Sequence, residues 1–346
     1  MSRQIHRTMF KFQIRIHPLG MLYGSSGGFL SPDNLVGRSG AKFPPEAATL
    51  AGLFFRTRYH QPKEKKELKE NLRVAGPFWA ETKDKSEIYV PIPWSTIVGK
   101  DKTDRWELDD RKVWQRKNPE LDPDFSWQPI STWNIEPDAI QSNESAEKSP
   151  WEFIPILHPK MQTHQRSVVA EDGLFLENAV QMEPDKCLVY LSTHELQPHE
   201  LEPGWYRFGG ENHLVEIECL PLDDNFQKWL NQPIERTFAL IAPAVWGSQR
   251  YSYRYPQNWD FGEPLMLTDK PVPYRYRAGG RLGRGRYAVP AGSVYVLDRP
   301  IGKPWYDWPS EWFPTEGFNL KDVGCGLCLP VDIPGVSDEN NEKGVA

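Results

Sequence analysis

Residues 11–16, KFQIRI, alternate apolar Phe12, Ile14 and Ile16 with polar neighbours, the period-two pattern of a half-buried strand, and HPLG ends it. Glycine and serine then dominate MLYGSSGGFLSPDNLVGRSGAKF, which predicts no regular element. PPEAATLAGLFFRTRYH predicts a helix, with proline in its first turn and arginines in its last. A strand therefore leads through a glycine-rich loop into a helix. In residues 61–73, QPKEKKELKENLR, Lys63 with Glu67 and Lys66 with Glu70 stand at helical spacing, so this charge run predicts a solvated helix face. IYVPIPWSTIV predicts a strand whose prolines put it at a sheet edge.

Residues 100–150 are polar and acidic with little periodicity, and predict an insertion lying over the domain with Trp106, Trp114, Trp127 and Trp133 as anchors. Strand patterns return in SVVAEDGLFLENAVQM, in CLVYLST and from Leu214 to Ile217, completing a first sheet. RTFALIAPAVWG is a nearly continuous apolar strand, and GSVYVLD another. A domain boundary is expected near residues 222–233, giving units 1–222 and 233–335. Residues 336–346 have too little apolar content to pack and predict a disordered tail.

Composition narrows the class. The 346 residues, 39% hydrophobic and 12% aromatic, suffice for a large core, while 32 prolines and 26 glycines argue against an all-helical bundle. A formal net charge of −6 excludes bulk attraction to nucleic acid, so such binding has to come from local basic patches. Lys11 and Arg15 interrupt any apolar signal-peptide region, no later stretch approaches a membrane span, and the four unevenly spaced cysteines fit a reducing compartment. A cytoplasmic protein is expected.

The densest patch is YRYRAGGRLGRGRYAVPAGSVYVLD, residues 274–298, with five arginines and no carboxylate before its last residue. As a dinucleotide fingerprint it fails: Gly283 and Gly285 are suitably spaced, but position 288 is Ala and a proline-broken strand follows where a helix has to receive the pyrophosphate. No P-loop motif and no GxSxG elbow is present. In HELQPHE the histidines, His194 and His199, are five apart and Pro198 breaks the helix a zinc site needs. CGLC (325–328) lacks a second CxxC and reads as packing thiols in a glycine loop. The carboxylate pairs Asp109 with Asp110 and Asp223 with Asp224 read as solvated loop residues. No metal or other cofactor is implied.

What remains are glycine-flanked basic or polar segments: VGRSGAKF (Arg38, Lys42), HPKMQTHQRS (Lys160, His164, Arg166), GGENH (Gly209, Gly210, His213) and the arginine segment (Arg275, Arg277, Gly280, Arg281, Gly283, Arg284, Gly285, Arg286). Guanidinium groups clamp phosphates, glycines let the main chain approach, and Tyr274, Tyr276 and Tyr287 can stack on bases. The bland alternative is an arginine-rich loop that only adds solubility.

IHPLGMLYGSSGGFL, KFPPEAATLAGLF, THQRSVVAEDGLFLENAVQM, FGGENHLVEIE, YAVPAGSVYVL and GFNLKDVGCGLCLPV, in that order, resemble the Cmr subunit three family of type III CRISPR effector complexes, in the repeat-associated (RAMP) superfamily. An insertion in the first domain, from about residue 60 to residue 150, lies outside the resemblance. It implies an α+β protein of two ferredoxin-like domains, each a four-stranded sheet backed by helices, that caps the 5′ repeat-derived end of a guide RNA. It also implies contacts with the large polymerase-like subunit and a backbone RAMP subunit, and no nuclease activity. The superfamily's glycine-rich loop is matched by Gly279 to Gly285 and its GGE segment by Gly209, Gly210 and Glu211. Asn212 and His213 replace the arginine that often follows, leaving that segment as either an RNA contact or a turn. His164 and Arg166 precede the EDGLF hairpin, where they would face an RNA channel. The alternatives are a guide-processing endoribonuclease using His17 or His164 as acid or base, and a protein-binding scaffold docked through the tryptophan-rich insertion.

Overall fold

The computed structural model describes residues 9–23, 43–57, 62–170, 173–196, 205–209, 212–248, 251–275, 277–278 and 281–336. β1 (Phe12–Pro18) and β2 (Leu22–Tyr23) precede α1 (Ala47–Thr57) and α2 (Pro62–Asn71). Next come β3 (Val74–Glu81), β4 (Tyr89–Pro91), a hairpin of β5 (Thr96–Val98) with β6 (Thr103–Arg105), another of β7 (Glu107–Leu108) with β8 (Trp114–Gln115), β9 (Trp127–Pro129) and α3 (Pro137–Ser142). A long ribbon, β10 (Trp151–Pro159) with β11 (Leu174–Met182), leads to β12 (Lys186–Ser192), the hairpin β13 (Trp205–Phe208) and β14 (His213–Pro221), and α4 (Asp224–Asn231). The remaining strands are β15 (Thr237–Leu240), β16 (Trp246–Gly247), β17 (Ser252–Tyr253), β18 (Leu265–Leu267) and β19 (Val272–Tyr274). They are followed by β20 (Arg277–Ala278), β21 (Arg281–Leu282), β22 (Arg286–Ala288), β23 (Val294–Val296) and β24 (Cys328–Pro330).

The fold is mixed α+β, with few helices and several antiparallel sheets. The largest sheet runs β13-β14-β1-β12-β3-β4-β9, a second runs β18-β23-β15-β24, and β10-β11-β2 form a third. Within the first sheet β14, β1, β12 and β3 stand in the order fourth, first, third, second along the chain, and β24, β15, β23 and β18 repeat that order in the second. The arrangement differs from two equal four-stranded sheets backed by helices. The first sheet is wider, and beyond α4 the described residues hold only short 3₁₀ turns as helical structure. Nor is the stretch from about 60 to 150 a separate insertion, because β3 lies inside the large sheet and β4 and β9 extend it. Trp127 and Trp133 are buried there, whereas Trp106 and Trp114 are half-buried. Among the described residues no helix is long and apolar enough to cross a membrane.

Strand alternation builds two cores on opposite faces of the large sheet. On one face Ile14, Ile16, Leu188, Tyr190 and Val215 meet Leu50, Leu53 and Phe54 of α1. On the other, Phe78, Ala80, Cys187, Val189 and Leu191 meet Phe226 of α4 and, from the second sheet, Phe238 and Tyr295. Each fully buried side chain of this kind contributes roughly 1.5–3 kcal/mol. β1 is therefore not half-buried, as its alternation suggests: Gln13 and Arg15 are buried too. Arg15 is held by a 2.9 Å bond from Nε to Gln13 Oε1 and another of 2.9 Å from NH1 to the Glu81 carbonyl, while its buried NH2 has no hydrogen-bond partner among the described residues. α2 buries only Leu68 and keeps the solvated face its charges predict.

Residues 222–233, read as a boundary, contain α4. Asp223 caps it by accepting the Asn225 N–H at 2.8 Å. Phe226 stands edge-on to Phe78 at 5.9 Å and links the helix to β3. β10 escapes the period-two reading because Pro155 and Pro159 interrupt it. It is tolerated as the outer strand of its sheet, where a missing N–H breaks no inner ladder.

Two features fasten the turn after Asn319: Lys321 ties it to the 3₁₀ turn at 305–307 and its cap, and Gly324 to β3. Lys321 Nζ donates to the Tyr306 carbonyl at 2.7 Å and to that of Trp308, and lies 5.6 Å from the Trp305 ring centre. Burial pushes its pKa down to about 8. Gly324, at φ +76°, sits where a Cβ would stand 2.5 Å from the Ala75 Cα. Gly324→Ala is expected to cost about 3 kcal/mol or more, and Gly317→Ala, at φ +82° with nothing within 4 Å, only about 1 kcal/mol, in urea unfolding. The lysine makes a second prediction. Above about pH 8 the unfolded chain retains the Lys321 proton that the folded chain releases, so wild-type stability relative to Lys321→Met rises with pH toward the ordinary lysine value.

Candidate nucleic-acid interface

The arginine segment is a β-ribbon rather than a loop. Val272, Pro273 and Tyr274 pair with Ala288, Tyr287 and Arg286, and beyond that ladder Arg277 and Ala278 pair with Leu282 and Arg281. Between the ladders Arg275 Nε donates to the Gly283 carbonyl at 2.7 Å, closing the irregular part of the ribbon. The root rests on the first core, where Val272, Tyr274 and Ala288 pack in the cluster that contains α1, and β20 lies against α1.

Strand alternation sorts these side chains. Tyr274 and Arg286 are directly opposite and both point inward, so each is buried; Tyr287, one residue on, is 44% exposed. This corrects two expectations. Tyr274 is a core residue and not a stacking platform. Arg286 lies 4% exposed, with Nε 2.7 Å from Glu316 Oε1, a second bond from NH2 to the same oxygen, and NH1 2.6 Å from the Ser248 carbonyl. Its guanidinium is consumed inside the fold and cannot clamp a phosphate.

Arg284 and Gly285 are exposed and Gly283 is half-buried, while Arg277 and Arg281 sit on the paired outer strands. β17 packs against β22, and just before it Tyr251 is 53% exposed, its ring 6.5 Å from that of Tyr253. Tyr251 was missed by sequence reasoning. The alternating RYSYRY run at 250–255 was its signal, a basic and aromatic pattern at strand period. The ribbon and β17 therefore bring exposed arginine and tyrosine side chains to one surface, a combination that suits phosphates and unstacked bases.

The other candidate residues are dispersed. His164 and Arg166 are exposed beyond the β10–β11 ladder. Gly209, at φ +77°, belongs to the turn joining β13 to β14, so the described part of GGENH makes a turn. His213 accepts the Tyr23 N–H at 3.0 Å and stacks on the Tyr23 ring at 5.6 Å, tying β2 to β14. Arg38, Lys42, Gly210, Glu211, Tyr276, Gly279, Gly280, His199 and the tail from 337 lie outside the described residues.

Other motifs resolve into packing or turns. Cys325 Sγ accepts the Val245 N–H at 3.0 Å in one core, and Cys328 is buried in the other. Burial pushes the Cys325 thiol up to about 12 and raises that of Cys328 as well. Asp109 Oδ1 accepts the Arg111 and Val113 N–H groups in a turn. Among the described residues no group of three or more His, Cys, Asp and Glu side chains is placed to hold a metal. Alternation makes one comparison decisive: Arg286→Ala is expected to destabilise the protein by about 3 kcal/mol by emptying a buried guanidinium site and removing its bonds to half-buried Glu316 and the Ser248 carbonyl, and Arg284→Ala by less than about 0.5 kcal/mol, in parallel denaturation curves.

The chain was compared with known proteins. No curated protein matches it. Among solved structures it is similar to a chain of the type III-B Cmr-beta complex bound to cognate target RNA and AMPPnP, at 12% identity and TM-score 0.47, covering 82% of this chain and 86% of that one. It is also similar to a chain of the Csm3–Csm4 subcomplex of the type III-A CRISPR-Cas interference complex, at 10% identity and TM-score 0.41, covering 93% and 99%. A chain of the Csm1–Csm4 cassette in complex with pppApA is similar at 12% identity and TM-score 0.39, covering 94% and 99%. The family model described as CRISPR-associated protein (Cas_Cmr3) matches residues 31–329. That match spans most of the sequence, including the arginine ribbon and every strand of the large sheet except β1, and the chain belongs to the Cas_Cmr3 family of CRISPR-associated proteins.

Proposed function

We propose that this chain is a noncatalytic RNA-binding subunit of a type III CRISPR effector ribonucleoprotein, acting in the cytoplasm. In this reading it caps the 5′ repeat-derived end of the guide RNA and joins the large polymerase-like subunit to a backbone RAMP subunit. The observation that carries the reading is the arginine ribbon. Its root is fixed by core packing and by Arg286, Arg277 and Arg281 belong to its outer paired strands, and Arg284, Tyr287 and Tyr251 are exposed. A polyanion with splayed bases matches that surface by charge and by stacking. Membership of a CRISPR-associated family supports an RNA partner in preference to a scaffold that binds protein alone.

The repeated strand order supports two ferredoxin-like units, the first within residues 1–222 and the second within 233–335. In the second unit the arginine ribbon occupies the connection between its second and third strands, β18 and β23. The noncatalytic part of the reading rests, for His17, on its surroundings. His17 stands opposite Glu216 in the ladder, with Glu218 and Lys85 also acting on it, and burial is the first cause of its lowered pKa. The two carboxylates beside it oppose the approach of a phosphodiester and are balanced in part by Lys85 and Arg15.

The test leaves Arg286 in place, because its loss would damage the fold. Changing Arg277, Arg281 and Arg284 together to Ala is expected to reduce guide-RNA retention and to lower the slope of log affinity against log salt by about 2, near 0.7 per phosphate contact on a single strand. Unaltered retention and slope would remove the ribbon from the interface. RNA sequenced from the native complex is expected to share a repeat-derived 5′ end. Metal-independent cleavage of repeat RNA that disappears in His17→Ala or His164→Ala would overturn the noncatalytic assignment.

A further inference from the structure

A second basic and aromatic feature lies against α1, among residues no sequence motif singled out. A cleft of about 560 Å³ is lined by Leu53 and Arg56 of α1, Trp205 and Arg207 of β13, and Leu214 of β14. Alternation along β13 buries Tyr206 and Phe208 in the core and turns Trp205 and Arg207 outward together. Arg207 stands directly opposite Leu214, and Trp205 directly opposite Glu216. Trp205 is 52% exposed, so core packing does not account for an indole at this position.

The guanidiniums are available to a ligand. Arg56 spends one N–H on Asn212 Oδ1, at 3.0 Å, and has donors to spare. Among the described residues neither Arg56 nor Arg207 has a carboxylate partner. The cleft is also polarised. Glu216 at the Trp205 end repels a phosphate and favours a neutral base there, while the Arg207 end attracts the phosphate. Side chains two apart on a strand are separated by about 7 Å, a span comparable to that from base to phosphate within one nucleotide.

We propose that this cleft seats one nucleotide of a single-stranded RNA, with its base stacked on Trp205 and its phosphate held by Arg207 and Arg56. The inference rests on the RNA-binding reading above and extends it to a second surface. α1 connects the two sites: β20 of the arginine ribbon and β13 of the cleft both pack against it. A strand leaving the ribbon thus has a continuous support leading to the cleft. A mononucleotide site is disfavoured because the cleft is open at the sheet edge and supplies two guanidiniums but no metal-ligating group among its lining residues.

The full chain is mixed with a fluorescein-labelled single-stranded oligoribonucleotide carrying 5-iodouridine, irradiated, digested and mapped by mass spectrometry. A cross-link on the peptide containing Trp205 is expected. In equilibrium titrations Trp205→Ala is expected to weaken binding about tenfold with an unchanged salt slope, and Trp205→Phe to stay within about threefold of wild type, since any aromatic face supports stacking. Arg207→Gln is expected to lower the salt slope by about 0.7. Melting temperatures of these exposed-site variants should match that of wild type.

Absence of the cross-link together with wild-type affinity in Trp205→Ala would overturn the cleft assignment. If the triple variant at Arg277, Arg281 and Arg284 still lost binding, the RNA-binding reading itself would stand. A wild-type chain with no affinity for the oligonucleotide, alone or in its complex, would overturn both. Competition by AMP as effective as competition by the oligonucleotide would assign the cleft to free nucleotides and overturn the strand proposal. Loss of a protein partner in Trp205→Ala with RNA affinity intact would likewise overturn it in favour of a protein contact.

Discussion

Burial of the central strands on both faces is the constraint from which the rest of the structure follows. β1, β12 and β3 lie between α1 on one side and α4 with the second sheet on the other, so neither face can be left polar without compensation. That requirement explains why Arg15 is bonded to Gln13 and to the Glu81 carbonyl inside the molecule. It also explains the close passage of Gly324 over Ala75, where any larger residue would separate the C-terminal turn from β3.

The same two-sided packing prepares the candidate interface. Because α1 covers one face of the large sheet, it also receives the root of the arginine ribbon and the outer hairpin β13–β14. Arg286 is drawn inward to Glu316 and Ser248 and holds the ribbon at its base, while its neighbours Arg284 and Tyr287 remain outside. Support and recognition are thereby divided among residues of one basic segment by a two-residue period. An acidic chain can present cationic surface only where backbone geometry concentrates it, and a paired ribbon does so with little lost mobility on binding.

Local elements were legible because their causes are local. The alternation around Ile14, the helix from Ala47 to Thr57 and the solvated helix at 62–71 follow from side-chain periodicity and from proline or charge placement. β10 was hidden by its prolines, whose tolerance depends on an outer place in a sheet that no local pattern reveals. The apparent boundary at 222–233 became α4 because Phe226 and Leu230, four apart, found a core to enter. The family was legible from the order of several motifs, although each motif was short.

The sequence by itself determined the α+β class, the family and the concentration of arginine between residues 275 and 286. It did not determine which of those arginines face solvent, nor that Arg56, Trp205 and Arg207 gather in one cleft. Direction along a strand depends on register with a partner strand, and adjacency depends on which helix both hairpins pack against. Those are contacts between residues far apart in the chain, and only tertiary structure decides them.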